Sequence, residues 1–262
     1  MVFGKGADGA LNWPARLWIV RHGESAGNVA RDAARAAGLA RIEIEARDVD
    51  VPLSPLGEQQ AQALGRWFAD LPESERPEVA LSSPYVRAKQ TTMAVARAGG
   101  LAPGASIHCV DERLREREFG ILDRLTTLGI REHHPDQAEF RAVLGKFYHR
   151  PPGGESWCDV ILRLRSALDT IGLHHGGRRV LIVAHQVVVL CFRYLLENLS
   201  EAEILKIDAE GDVANCGVTE YVFDRDEGLD GALRLIRYNY VAPLRAAGAA
   251  ITAEPDAPVA AR

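Results

Sequence analysis

Two apolar stretches of this chain end in histidine. Leu17-Trp18-Ile19-Val20 runs into Arg21-His22-Gly23-Glu24-Ser25, and Leu181-Ile182-Val183-Ala184 runs into His185-Gln186. A neutral imidazole is a good nucleophile near neutral pH and can carry a phosphoryl group covalently. Arg21, beside the first histidine, offers the forked donors that suit phosphate oxygens. A second histidine, when protonated, adds positive charge where the oxygens of a transferring group crowd. Gly23 would let the backbone come close to a bound anion, and a helix starting after each strand would aim N–H groups at it. One strand-end histidine often does no more than satisfy backbone groups. Two of them with an adjacent arginine point to a site.

The two histidines are 185 − 22 = 163 positions apart, so the fold has to bring them together. Both preceding stretches are short and apolar throughout, the pattern of strands buried on both faces. In open α/β sheets, ligands bind beyond the carboxyl ends of the strands, where both histidines would then lie. Residues 79–81 and 106–110 read as further strands. Ser54-Pro55 reads as N-cap and first residue of a helix, with Leu56, Ala61, Leu64, Phe68 and Leu71 on one face. Helices are also predicted over 83–98, 154–173 and 187–196, and an edge hairpin over 218–223 and 233–240 around 226–231. Strands alternating with helices make an α/β three-layer sandwich, a mostly parallel central sheet flanked by helices.

The chain has 262 residues, between one and two ordinary domains. It reads as a single domain over 1–241, with inserted stretches near 31–50 and 126–152. The Ala- and Pro-rich stretch 242–262 is expected to be a flexible tail. Hydrophobic residues make up 47% and charged residues 26%, enough for a sizeable core and against bulk disorder. With 31 Lys and Arg against 36 Asp and Glu the net charge is −5, which disfavours a nucleic-acid partner. No apolar run approaches a membrane span, and residues 1–8 lack the apolar core of a secretory signal. The four cysteines are scattered without a C-x-x-C pair, so a reducing, cytoplasmic location is expected. Nothing in the sequence speaks to oligomeric state.

Arg21-His22-Gly23-Glu24-Ser25, with Asn28 following, resembles the signature of the histidine phosphatase superfamily, the phosphoglycerate-mutase-like fold. Four further blocks resemble that family in its own order. They are Asp50-Val51-Pro52-Leu53-Ser54-Pro55-Leu56-Gly57; Ser82-Ser83-Pro84-Tyr85-Val86-Arg87-Ala88; Leu114-Arg115-Glu116 followed by Phe119-Gly120; and the stretch ending in His185-Gln186.

The resemblance implies a phosphatase that hydrolyses a phosphate monoester of a small molecule through a phosphohistidine on His22, with neither metal nor cofactor. Arg21 and Arg87 would grip the phosphoryl oxygens and His185 would complete a cationic pocket. Asn28, Ser25, Gly23 and Gln186 would contribute to substrate binding. A carboxyl must protonate the departing alkoxide and then activate water. The run from Asp111 to Glu118 offers four acids, and the Leu-x-Glu-x-x-Phe-Gly spacing selects Glu116, with Glu118 next.

Gln186, Gly154-Glu155-Ser156 and Asn215-Cys216-Gly217-Val218-Thr219 are similar to the fructose-2,6-bisphosphatase branch. However, the Arg and Tyr which that branch uses on its sugar phosphate correspond to Leu190 and Thr127. The mutase branch has Lys at the Thr127 position and Tyr at Phe119. These missing groups favour a phosphatase over a cofactor-dependent mutase. A phosphate-ester or phosphoprotein binding module is the alternative outside catalysis, and the intact set His22, Arg21, Arg87, Glu116 and His185 weighs against it. His133, His134, Asp136 and His149 lack zinc-like spacing.

Overall fold

In the computed structural model, which describes residues 13–227 and 231–253, β1 (Arg16–Arg21) is buried on both sides. Leu17 and Ile19 point to one face and Trp18 and Val20 to the other, as the two-residue period of a strand requires. The same alternation in β4 (Arg179–Ala184) sends Val180 and Ile182 one way and Leu181 and Val183 the other. With β2 (Val79–Ser82), β3 (Ser106–His108), β5 (Val218–Asp224) and β6 (Ala232–Tyr240) they form one sheet, ordered β3-β2-β4-β1-β5-β6. The first four strands in that order run parallel, and β5 and β6 are antiparallel additions at one edge.

The helices cover both faces, giving the expected three layers. On the Leu17 face, α6 (Trp157–His175) and α7 (Gln186–Leu196) bury Trp157, Leu164, Leu168, Val188 and Phe192. On the Trp18 face, α2 (Pro55–Ala69) and α3 (Val86–Arg97) bury Leu64, Phe68 and Val95. Trp18 meets Phe68 edge-on at 5.4 Å. Full burial of each large apolar side chain stabilises the fold by about 1.5–3 kcal/mol.

For the site, the important register is that of β1 against β4. Val20 pairs with Val183 and Arg21 with Ala184. The ladder continues one step, His22 N donating to Ala184 O at 3.0 Å. The two histidines therefore leave neighbouring strands side by side. The loop after β1 is pressed against the start of α2. A Cβ on Gly57 would sit 1.9 Å from Glu24 O, and one on Gly23 would sit 2.5 Å from Gly57 O. Only two glycines allow that approach.

Several boundaries differ from the sequence reading, among them β3, which ends at His108 rather than at residue 110. α3 starts at Val86, not at Ser83-Pro84, because Ser83 N extends the sheet ladder to Val183 O at 3.0 Å. α6 starts at Trp157, not Gly154, because Ser156 and Asp159 form a reciprocal capping box. The first part of the expected tail is built into the fold. α9 (Ala242–Ala246) buries Leu244 on the Trp18 face, and Asn215 N donates to Thr252 O at 2.8 Å. Buried Pro243 and Leu244 dock it, together with hydrogen bonds from Gln60 Nε2 to Ala250 O and Thr252 Oγ1 at 2.9 Å each. Residues 254–262 and 228–230, the latter in the expected hairpin turn, lie outside the described residues.

The stretch 31–50 holds the end of α1 (Ala26–Ala36), an irregular run and a short 3-10 turn at Asp48–Asp50. The stretch 126–152 forms α4 (Thr127–His133) and α5 (Pro135–Tyr148). α8 (Glu201–Glu210) follows α7. The two stretches meet through Thr126 N, which donates to Ala40 O at 3.0 Å, and just before the second one Arg124 O accepts from Ile42 N at 2.8 Å. Among the described residues no helix is long and apolar enough to cross a membrane.

Candidate active site

His22 sits just past the carboxyl end of β1 and is buried. Its Nδ1 lies 2.7 Å from Gly23 O. A carbonyl can only accept, so Nδ1 carries the proton and Nε2 keeps its lone pair. That Nε2 receives a hydrogen bond from Arg87 Nε at 3.2 Å. The ring is thus held as the tautomer a nucleophile needs, with its free nitrogen beside a guanidinium. Burial above all, then Arg87 and Arg21, hold the His22 pKa well below the ordinary 6.5, against a smaller upward pull from Gly23 O.

His185 lies 5.1 Å from His22, centroid to centroid, as the N-cap of α7. Its Nε2 is 2.8 Å from Ser83 Oγ. Its Nδ1 has Glu116 Oε2 at 3.8 Å, longer than a hydrogen bond. Tyr85 packs against the other side of the ring at 5.1 Å. Burial first, then Arg87, His22, Arg163 and Arg21, hold the His185 pKa well below 6.5. The sequence reading gave His185 a proton. Under those neighbours it is neutral in the described state.

Folding therefore buries two neutral imidazoles. Below about pH 6.5 the unfolded chain takes up protons that the folded chain refuses. Stability should fall with pH through that window, by up to about 1.4 kcal/mol per pH unit for each imidazole. Denaturant unfolding at pH 7.5 and 5.5 reads the slope, and His22→Asn should make it shallower. An unchanged slope in that variant would contradict neutral burial of His22.

His22 faces a cavity enclosing about 760 Å³, open solvent at its mouth included, and His185 lies behind it. Arg21, His22, Ser25, Asn28, Arg87, Glu116 and Gln186 all line it. Arg21 is fixed through Nη1 to Val213 O at 2.6 Å. Ser25 and Asn28 cap α1 reciprocally, so Asn28 Oδ1 accepts from Ser25 N and Oγ, both at 2.9 Å. Any contact of Asn28 with an anion would then go through Nδ2. Gln186 Nε2 donates to Asp212 Oδ1 at 2.8 Å. Glu116 is turned toward the cavity, its Oε1 accepting from Arg117 N at 2.8 Å. Glu118 does not line the cavity, although burial, then Asp123, Asp48 and Glu155, raise its carboxyl pKa.

Gly23 differs from its expected place. It does not line the cavity, and its missing side chain makes room for Gly57 rather than for an anion. His149 is buried, its Nε2 3.3 Å from Gln137 Oε1.

Several lining residues escaped the sequence reading. Ile42, Ile44, Ala46 and Asp48 come from the stretch 31–50, and Arg124 lies just before the stretch 126–152. Arg124 holds that wall, donating to Ile44 O and Ala46 O at 3.0 Å each from a left-handed backbone conformation, φ 60°. Asp48 accepts from Arg87 through its backbone and its carboxylate. Nothing in the local pattern marks these residues, because they act through packing between segments far apart in the chain. Ser83 and Tyr85 lay inside a block already singled out, and the Ser-Pro-Tyr stretch so close to Arg87 was the signal available.

The family model of the histidine phosphatase superfamily, branch 1, matches residues 17–230. A 6-phosphofructo-2-kinase/fructose-2,6-bisphosphatase of Caenorhabditis elegans is 30% identical over 224 residues, 82% of this chain and 43% of that protein. A Yersinia enterocolitica protein named "probable phosphoglycerate mutase" is 29% identical over 186 residues, 70% of this chain and 75% of that one. The chain spans about half the length of the first of its curated relatives. A solved mycobacterial glucosyl-3-phosphoglycerate phosphatase, in complex with inorganic phosphate, is 26% identical. It superimposes with a TM-score of 0.65 over 87% of this chain and 99% of its own.

Proposed function

Because the chain belongs to the histidine phosphatase superfamily, we propose that it hydrolyses phosphate monoesters of small molecules through a phosphohistidine on His22. The observation that carries this reading is the fixed tautomer of His22, with Nε2 bare of a proton and held beside Arg87. Nε2 attacks phosphorus and the ester P–O bond breaks. Arg21 and Arg87 spread the charge of the transferring oxygens, and α7 begins beside them with its positive dipole end. Glu116 gives its proton to the leaving alkoxide, then takes one from water as that water displaces phosphate from Nε2. The charge stabilisation comes from guanidinium groups, so no step calls on a metal. The apolar and charged wall of Ile42, Ile44, Phe119 and Arg31 would meet the rest of the ester. The four cysteines, none in a disulfide, suit a reducing, cytoplasmic setting.

The test is release of p-nitrophenol from p-nitrophenyl phosphate in the presence of EDTA. Turnover that survives the chelator is expected. No turnover, or turnover abolished by EDTA and restored by a metal, would overturn the metal-independent reading. Isomerisation of a phosphorylated acid that depends on a bisphosphorylated primer, with no net phosphate release, would favour the mutase instead.

A further inference from the structure

We propose that Asp48 is a built-in competitor for the phosphate site, a carboxylate that a phosphate ester must displace from Arg87 in order to bind. This rests on the reading of Arg87 as a phosphate ligand. Arg87 is buried, and its three nitrogens are all engaged. Nε donates to His22 Nε2 at 3.2 Å. Nη1 donates to Asp48 O at 2.6 Å and lies 3.0 Å from Asp48 Oδ1, and Nη2 donates to Asp48 Oδ2 at 3.2 Å. The carboxylate thus takes the forked geometry that a phosphate would use. It does so one guanidinium away from the reacting nitrogen.

The surroundings suit a displaceable group better than a structural ion pair. The Arg87 side chain is 6% exposed but that of Asp48 is 46% exposed, so its carboxylate can turn into water at little cost. Its backbone accepts from Arg87 Nη1 and has further supports besides Arg87. The wall that carries it is tied by Arg124 to Ile44 O and Ala46 O, and Asp50 N donates to Arg47 O at 2.8 Å. The nearby carboxyls of Asp123 and Glu118 repel that of Asp48 and so favour its outward turn. When phosphate oxygens take Nη1 and Nη2, the Asp48 carboxylate is left facing a like charge and is expelled outward. No covalent bond changes. The exchange screens ligands by charge. A phosphate dianion offers more charge and more acceptors than the carboxylate it replaces, whereas a simple carboxylate offers no gain over Asp48 itself.

The experiment is calorimetric titration of inorganic phosphate into the full chain, wild type against Asp48→Asn, at fixed ionic strength. Asp48→Asn keeps the shape and the backbone contact and removes the charge. It should bind phosphate about five- to tenfold more tightly. The same gain should appear as a lower KM for p-nitrophenyl phosphate. Asp50→Asn, in the same turn and paired with Arg47, is the control and should bind phosphate as the wild type does. Unchanged or weaker binding by Asp48→Asn overturns the proposal, and so does equal tightening by Asp50→Asn, which would reveal only a general charge effect. Tighter phosphate binding with no hydrolysis by the wild type would instead overturn the phosphatase reading and leave the competitor standing.

Discussion

His22→Ala should abolish turnover, by roughly 10⁴-fold or more, and with it any phosphorylated form of the protein. The expectation is this large because the variant removes the attacking atom itself. Among the described residues that line the cavity His22 is the one histidine, and its Nε2 carries no proton, its partner Nδ1 being spent on Gly23 O. His185 cannot stand in for it. His185 is fully buried, does not line the cavity, and its Nε2 is engaged with Ser83 Oγ at 2.8 Å. Rapid quench of the wild type with a labelled ester should trap an acid-labile, alkali-stable phosphoprotein. The variant should trap none. Label persisting in His22→Ala would move the nucleophile elsewhere.

Glu116→Gln should lower hydrolysis of alkyl phosphates by about 10²–10⁴-fold, the usual share of a general acid–base group. The loss should be smaller for p-nitrophenyl phosphate, whose leaving group departs without a proton. Step two still needs a base, so the phosphoprotein should accumulate in this variant. Glu118→Gln should stay near the wild type. The two glutamates are two residues apart, and geometry separates them. Glu116 lines the cavity with Oε2 3.8 Å from His185, whereas Glu118 lies outside it. A large loss in Glu118→Gln with an active Glu116→Gln would reverse the assignment.

The parts of this picture legible in the sequence are those written locally. Apolar runs ending in histidine gave β1 and β4 with their functional ends, and Ser54-Pro55 gave the start of α2. The family blocks pointed to Arg87 and Glu116, which alone look like ordinary surface charges. What was not legible depends on contacts between distant segments. Ser83 was misread as a helix start because its ladder bond to Val183 is invisible in the order of residues. Gly23 was read toward an anion because nothing near it announces Gly57, 34 positions on. Asp48 sits in a stretch of mixed acids and arginines, and only the folded chain shows which arginine it meets. The 242–253 segment has few large side chains, yet Leu244 finds a fully apolar slot.

The in-register pairing of β1 with β4 also sets when this site can exist. In synthesis His22 emerges ahead of its neighbour His185, which comes 163 residues later. Closing a loop of that length costs about 4–5 kcal/mol of chain entropy before the contact returns anything. A nascent chain short of β4 carries His22 but has no partner strand at its side, no α7 and no His185. The cavity is thus among the last features to be assembled, on the slow, long-range side of folding. A complete cavity in this protein amounts to a certificate that β1 and β4 have paired.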